Sequence, residues 1–97
     1  MRKVGFQRLL EAVAAQYGFS PERLTDVARS RSLTKARALL IYLARHWSGV
    51  TSKELGVRLK RDGSMISKLY MIYAEQRDLR AEEQILRLLN NKSITQV

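Results

Sequence analysis

The side chains best suited to bind a ligand are lysines and arginines that lie between positions 29 and 61. They are Arg29, Arg31, Lys35, Arg37, Arg45, Lys53, Arg58, Lys60 and Arg61. Glu54 is the only acidic residue in that stretch, so the stretch carries most of the net charge of +9. Charge concentrated in this way favours a polyanionic partner, because each neutralised phosphate releases counterions. The charge alone leaves open an acidic membrane or protein partner, or an ordinary basic surface.

Side chains that could support catalysis or bind a metal ion are few. His46 is the only histidine and there is no cysteine, so the usual nitrogen and sulfur ligands of a metal site are missing. Glu82 and Glu83 are adjacent, so on a helix they point in different directions. We therefore expect no enzyme activity, no metal and no other cofactor, although a longer parent chain could carry a catalytic domain.

Helical spacing of apolar residues runs through most of the chain, and strand-like alternation is absent. The 97 residues predict one all-α domain of five to six helices, followed by a flexible tail at 91–97. A first helix should end at Gly18, a short one should begin at Ser20-Pro21, and a long one should end at Gly49. Residues 28–32, ARSRS, are predicted to form a basic loop. Further helices are expected at 51–59, 63–76 and 81–90.

The segment from Ser52 to Leu69 has the spacing of a helix-turn-helix. Its entry, Thr51 and Glu54, matches a capping box, and Gly56 lies where the two helices need a small residue. Two features depart from the usual motif, because the turn has no glycine and Arg61 lies at a position that is often apolar. A structural helical corner is the alternative. The residues expected to pack the two helices together are Leu55, Leu59, Ile66 and Leu69.

The second helix of this pair begins with small and polar residues, which is typical of a helix that enters a DNA groove. Gly63 and Ser64 permit close approach, and a serine hydroxyl discriminates weakly between bases. Asp62 is expected to cap the helix rather than to accept from a cytosine amino group. Lys60 and Arg61 lie at the mouth of this surface, where they would contact phosphate. The predicted recognition face consists of Ser64, Ser67, Lys68 and Met71.

The chain resembles the C-terminal DNA-binding domain of the bacterial replication initiator DnaA. The segments LLEAVAAQYGFSPERL and ARSRSLTKARALLIYLARHWSGVTSKELG carry the resemblance. Their specific features are R-S-R-S, an arginine six residues later, Y-L-A-R, and T/S-x-x-E-[IL]-G. The resemblance implies a Trp-repressor-like helical fold that binds double-stranded DNA.

The resemblance also implies roles for individual residues. Arg29 corresponds to an arginine that the family places in the minor groove, and Arg31 lies close by. Arg37, with Lys35 in the same turn, corresponds to a phosphate-binding position early in the long helix. Lys53 lies where the first helix of the pair approaches the major groove.

The turn of the helix pair differs from that of true initiators. They carry G-G-R-D-H-T-T-V-L-H-A, whereas this chain has KRDGSMISKLY with a turn one residue shorter. Gly63 replaces the base-reading histidine and Ser64 replaces the first threonine. There is also no nucleotide-binding P-loop. SMISK at 64–68 is instead similar to the S-x-V-S-[KR] of initiator-like domains at the C-termini of REP-associated tyrosine transposases.

These observations predict a sequence-specific module that binds double-stranded DNA within a larger transposase-like or initiator-like protein. Other domains of that parent protein are its further expected partners, and the oligomeric state is left open. No membrane partner is expected, since the longest apolar run, ALLIYLA, is too short to span a bilayer. The predicted location is the bacterial cytoplasm, associated with the nucleoid. The alternative is a non-specific basic module that binds RNA, DNA backbone or an acidic protein.

Overall fold

The computed structural model of the protein describes residues 4–26 and 30–95, with side chains as far as residue 90. Within these residues the fold is entirely helical, which confirms the predicted class. A π-helical turn, Ala44–Ser48, continues the third helix. The α-helices are α1 (Phe6–Tyr17), α2 (Pro21–Thr25), α3 (Arg31–Leu43), α4 (Ser52–Leu59), α5 (Gly63–Glu75) and α6 (Leu79–Thr95).

Most helix ends are set by the residues that the sequence singled out. Gly18 and Gly49 have positive φ angles of 77° and 68°, the left-handed conformation that glycine adopts without steric cost. The Thr51 hydroxyl accepts a hydrogen bond from the Glu54 amide at 3.2 Å, so the predicted cap of α4 is confirmed. Ser30 caps α3 in the same way, by accepting from the Leu33 amide at 3.1 Å.

Three features of the helices differ from the prediction. Helix α3 begins at Arg31, inside the stretch 28–32 that was predicted to be a loop, because Ser30 caps it. The π-helical turn at Ala44–Ser48 departs from α-helical geometry, and the regular spacing of apolar residues does not predict such a departure. Helix α6 was predicted near 81–90 but begins at Leu79, where the Asp78 carboxylate accepts from the Ala81 amide at 3.1 Å, and its backbone stays helical to Thr95. The flexibility of residues 91–97 stays a prediction.

Helix α3 is the central element of the core, packed against α1 and α5, while α6 packs against α1. Its residues from Ala36 to Ile41 are all buried, which requires neighbours on several sides. The long apolar run at 38–44 therefore belongs to the interior. The largest fully buried side chains are Leu9, Leu24, Leu33, Leu39, Leu40, Ile41, Leu43, Leu55, Leu59, Ile66 and Ile85.

The turn between α4 and α5 is tight and is built around Gly56. The Arg61 amide donates to the Gly56 carbonyl at 2.9 Å, and a Cβ at Gly56 would lie only 2.8 Å from the Arg61 carbonyl oxygen. Lys60 has a positive φ angle of 56° and takes the left-handed position that glycine usually occupies. The predicted packing residues of the two helices, Leu55, Leu59, Ile66 and Leu69, are all buried. The helix-turn-helix prediction is thus confirmed in its geometry.

A buried carboxylate ties the end of α5 to the start of α6. Glu82 is 7% exposed and accepts from the Tyr73 hydroxyl at 2.6 Å and from Arg77 Nη2 at 2.7 Å. The Asp78 amide donates to the Tyr73 hydroxyl oxygen at 3.1 Å. Glu83, the residue after Glu82, is exposed, so the two glutamates point in different directions. This arrangement gives Glu82 a structural role.

We expect Glu82→Gln to lower the free energy of unfolding by about 1–3 kcal/mol at pH 7. Burial alone would raise the Glu82 pKa, but the hydrogen bonds from Arg77 and Tyr73 outweigh it and hold that pKa below its ordinary value. A carboxylate with a lowered pKa in the folded state stabilises the protein above its unfolded-state pKa of about 4.3. That stabilisation disappears as the pH falls through the lower, folded-state pKa.

Urea unfolding at pH 7 and at pH 3 measures this effect. Glu82→Gln should therefore flatten the loss of stability that the wild-type protein shows below about pH 5. Glu83→Gln is the matched control, because Glu83 forms an exposed pair with Arg87 at 2.9 Å, worth less than about 0.5 kcal/mol. Equal effects of the two variants would contradict the structural role of Glu82.

Candidate nucleic-acid interface

Helix α5, the predicted recognition helix, starts with a side-chain cap from Asp62. One carboxylate oxygen of Asp62 accepts both from the Met65 amide at 2.8 Å and from the Ser64 hydroxyl at 2.9 Å. These bonds, led by the Met65 amide, hold the pKa of Asp62 below its ordinary value, so its negative charge persists at the helix start. The capping interpretation of Asp62 is confirmed.

The hydrogen bond to Asp62 determines whether the Ser64 hydroxyl can donate to or accept from a ligand. Because its hydroxyl hydrogen is directed to Asp62, the exposed oxygen has acceptor lone pairs left. An acceptor suits the amino group of cytosine or adenine in the major groove. Ser67, Lys68 and Met71 are exposed on the same side of α5, and Met71 is 62% exposed. The predicted face is therefore open along its length, with an acceptor near its start and a cation further on.

At Gly63 the packing of the protein does not require a glycine. A Cβ at this position would meet no atom within 4 Å, in contrast to Gly56. Gly63 is the first residue of α5, and its main chain is exposed. The start of the helix therefore has room for an approaching nucleic-acid backbone or base.

A shallow cleft of about 390 Å³ separates α4 from the start of α5. Lys53 and Gly63 both line it, so the structure brings these two predicted residues together. Val57 also lines the cleft and is 76% exposed, although the sequence reading assigned it no role. An exposed apolar side chain beside Lys53 is suited to contact a thymine methyl group. The signal that could have found Val57 is its position four residues after Lys53, on the same helix face.

Arg45, one of the cations between positions 29 and 61, has contacts that the sequence did not predict. Its guanidinium donates to the Ser52 hydroxyl at 3.0 Å and lies 5.0 Å from the centre of the Tyr70 ring. His46 forms a hydrogen bond of 2.7 Å with the Tyr70 hydroxyl. These contacts hold an exposed cation next to the first residue of α4. The Y-L-A-R motif contains this arginine.

Arg37 does not reach the surface, and the geometry does not support its predicted phosphate role. Only 2% of Arg37 is exposed, and its guanidinium donates to the carbonyl oxygens of Leu24, Arg23 and Asp26 at 2.8, 2.9 and 3.0 Å. Burial, helped by nearby Arg61, lowers the Arg37 pKa below its ordinary value. Its donors already satisfy main-chain carbonyls, so a phosphate could bind only if that packing opened.

Arg61 is likewise directed to the main chain. It donates to the carbonyl oxygens of Leu59 and Lys60 at 3.1 and 3.2 Å, and to that of Asp26 at 3.3 Å. The side chain is half-buried and these bonds cap the C-terminal end of α4. The geometry does not support the predicted phosphate role of Arg61, whereas its neighbour Lys60 is exposed and points into solvent.

Two further predicted residues, Arg31 and Lys35, lie on α3. They are exposed and line a groove of about 590 Å³ between α3 and α5, which Ile72 also lines. Lys53 lies on α4, and Arg58 on the same helix has its guanidinium 4.9 Å from the centre of the Phe6 ring. Basic side chains thus lie on both α3 and α4, the two helices that pack against α5. Arg29, predicted for the minor groove, lies outside the described residues.

A family model described as the bacterial DnaA protein helix-turn-helix matches residues 6–71, which is more than half of the chain. This chain belongs to that family. The DnaA helix-turn-helix domain binds double-stranded DNA and is itself non-catalytic. DNA binding is therefore the function of this DnaA-type domain, as the resemblance implied.

The DnaA family match covers α1 to α4 and most of α5, including every residue of the predicted interface. The last turn of α5 and all of α6 lie beyond it. No curated protein matches the chain. The relationship to REP-associated transposases stays a prediction, as does any catalytic domain in a longer parent protein.

Two further properties concern the part of this DnaA-type domain that the structure describes. No group of three or more histidine, cysteine, aspartate or glutamate side chains there is placed to hold a metal ion. None of the helices described there has the length and apolar character that crossing a membrane requires.

Proposed function

We propose that this DnaA-type domain reads double-stranded DNA sequence-specifically, as the targeting module of a larger transposase-like or initiator-like protein. The observation that carries the proposal is the start of α5, where Gly63 and Ser64 are exposed and Gly63 has no packing role in the protein. A purely structural helix pair has no need of an open, small-residue surface there. The cations that flank this surface supply the attraction to phosphate.

The contacts divide into two groups with different consequences. We assign Lys53, which was predicted to approach the major groove, together with Lys60 and Arg45 to contacts with one phosphate strand near α4, and Lys35 on α3 to contacts with the other strand. These contacts act on any sequence. Ser64, Ser67 and Lys68 face the base edges, where the Ser64 oxygen accepts and the Lys68 ammonium donates. Arg29 and Arg31 reach the adjoining minor groove, which favours A·T-rich flanks.

The base-reading surface is small, which suits a domain that acts while tethered to other domains. Serine and lysine give weaker discrimination than bidentate arginine, asparagine or glutamine contacts. Linking such a module to a second binding or catalytic domain raises its effective concentration at the target. This is the basis for assigning the domain to a larger protein that works at the nucleoid.

Ser64→Ala should change the sequence preference, whereas Lys53→Ala should weaken binding to all duplexes alike. We expect Ser64→Ala to reduce discrimination at one base position by about 1 kcal/mol, because it removes a single acceptor. Lys53→Ala should lower the log–log salt slope by about 1, because one phosphate contact is lost. Fluorescence anisotropy on a panel of single-base variants, at several salt concentrations, measures both effects.

Ser20→Ala is the matched control, because Ser20 is exposed and makes no side-chain cap bond with α2. It should leave preference and salt slope unchanged. If Ser64→Ala and Lys53→Ala both lower affinity equally for every duplex, the alternative holds and the domain is a non-specific basic module.

A further inference from the structure

One exposed arginine at the end of the third helix is held between the two helices of the helix-turn-helix. The Arg45 guanidinium lies over the Tyr70 ring, 5.0 Å from its centre, and donates to the Ser52 hydroxyl at 3.0 Å. Tyr70 belongs to α5, and Ser52 is the first residue of α4. The side chain of Arg45 therefore has a defined position although it is exposed.

The Tyr70 ring is itself fixed by two neighbours. Its hydroxyl forms the hydrogen bond of 2.7 Å with His46, and its ring stacks on that of Tyr42, with ring centres 5.2 Å apart and 28° between the ring planes. The His46 ring lies 4.4 Å from the centre of the Tyr42 ring as well. Stacking at such separations favours particular ring orientations. The face that Tyr70 presents to Arg45 is thus set by α3 and the π-helical turn that continues it.

The π-helical turn carries both residues that contact Tyr70 from this side. Arg45 lies over the face of the ring, whereas His46, the next residue, reaches the hydroxyl. Turns of this type are rare and frequently occur at functional sites. The irregular end of the third helix therefore coincides with the contact that holds Arg45.

A second arginine of the same aromatic group shows what is particular about Arg45. The Arg77 guanidinium lies 5.1 Å from the centre of the Tyr42 ring, but it is paired with the Glu82 carboxylate at 2.7 Å. Among the described residues, no carboxylate forms an ion pair with Arg45. A guanidinium has five N–H donors, so most donors of Arg45 and its full charge are available to an anion.

We propose that Tyr70 is a positioning residue for Arg45, which it holds beside the start of α4 in the orientation that meets a DNA phosphate. Tyr70 does not contact DNA in this role. A long side chain that is ordered before binding loses less conformational entropy when the complex forms, so the ring increases affinity without adding a contact. The inference rests on the proposed function, because it requires the phosphate contact assigned there to Arg45.

Proton NMR of the free domain tests the geometry without DNA. The δ-methylene protons of Arg45 should resonate upfield of those of Arg87, which forms an exposed pair with Glu83, because they experience the ring current of Tyr70. Tyr70→Leu should remove this upfield shift. Tyr70→Phe should retain it, because phenylalanine supplies the same ring and stacking surface and lacks only the hydroxyl.

A double-mutant cycle then tests whether Tyr70 acts through Arg45. Fluorescence anisotropy uses one labelled duplex of fixed sequence, because phosphate contacts act on any sequence. We expect Arg45→Met to weaken binding about tenfold and Tyr70→Leu about threefold. Added to Arg45→Met, Tyr70→Leu should weaken binding further by less than about 1.5-fold, because the residue that it positions is already gone.

Two control variants and a folding measurement accompany the cycle. Arg87→Met removes the same charge from an exposed position on α6 and should leave affinity within about twofold of the wild-type value. Tyr70→Phe should bind within about twofold of the wild type, because the ring under Arg45 remains. Circular dichroism at the assay temperature confirms that each variant compared is folded.

Four results would overturn the positioning role. They are the absence of the upfield shift in the wild-type domain, wild-type affinity of Tyr70→Leu, a loss in Tyr70→Phe as large as in Tyr70→Leu, and additive losses in the cycle. Additive losses would mean that Tyr70 contacts DNA itself or acts through the fold. A coupled cycle without any motif enriched from a duplex library would refute sequence-specific reading alone. An enriched motif with additive losses would refute the positioning role alone.

Discussion

Replacing Gly56 with alanine is expected to lower the free energy of unfolding by about 2–3 kcal/mol. The added Cβ would lie 2.8 Å from the Arg61 carbonyl oxygen, a distance that real Cβ atoms do not tolerate. The obstructing atom belongs to the main chain, so the turn itself would have to open. Opening it would also move the Asp62 cap and the start of α5. Stability and DNA affinity should therefore fall together, and urea unfolding with anisotropy measures both.

Gly63→Ala is the matched substitution at the other glycine of the motif. Its Cβ would meet no protein atom within 4 Å, so the free energy of unfolding should stay within about 0.5 kcal/mol of the wild-type value. DNA affinity should nevertheless fall, because the new methyl group occupies the space that the proposed function assigns to DNA. The explanation of both glycines would be contradicted if the two variants lost stability equally, or if Gly63→Ala bound DNA as the wild type does.

The second large effect is expected for Arg37→Leu, which should cost about 3–5 kcal/mol of stability. The change removes the Arg37 donors to three carbonyl oxygens in a nearly closed site, those of Leu24, Arg23 and Asp26. Within the described residues, only the Asp26 oxygen keeps another donor, Arg61. Buried carbonyls without a partner are the main source of the loss. Thermal unfolding measures it, and Arg37→Lys, which keeps the charge but only part of the hydrogen bonding, should show a smaller loss.

Lys35→Leu supplies the contrast on the same helix. Lys35 is exposed, so its substitution should leave the fold intact and lower the salt slope of DNA binding by about 1. The structure thus predicts opposite phenotypes for two basic residues that the sequence placed in one phosphate-binding group. A stable, folded Arg37→Leu domain with a reduced salt slope would show that Arg37 contacts phosphate. It would contradict the role of Arg37 in holding buried carbonyl oxygens.

Local signals in the sequence predicted the helix ends well, since each depends on a few adjacent residues. Gly18 and Gly49 end their helices in the left-handed conformation, and Thr51 caps α4 as expected. The apolar spacing also identified the buried seam between α4 and α5. Such features need no knowledge of distant parts of the chain.

The inward orientation of Arg37 and Arg61 could not be predicted in the same way. Both look like surface cations because their partners are main-chain oxygens, which have no signature in the sequence. Asp26 is 11 residues from Arg37 and 35 from Arg61, so only tertiary packing brings the three together. The resemblance, for Arg37, and the place at the start of the second helix, for Arg61, therefore overestimated the phosphate-binding surface.

The exposed face of α5 was predictable because helical spacing alone places Ser64, Ser67, Lys68 and Met71 on one side. Val57 and Arg45 were missed for a different reason. Val57 resembles a core residue by type, and its position one helical turn after Lys53 was the sequence signal for the 76% exposure that the structure shows. Arg45 gains its place from contacts with Ser52 and Tyr70, across the irregular π-helical turn.

Sequence-specific reading of double-stranded DNA is the central claim, and selection from a randomised duplex library tests it most directly. Binding at about 150 mM salt, near physiological ionic strength, suppresses weak backbone contacts before the retained duplexes are sequenced. We expect an enriched motif with an A·T-rich flank, altered at one position when the selection is repeated with Ser64→Ala. No enrichment, with binding that simply fades as the salt concentration rises, would contradict it.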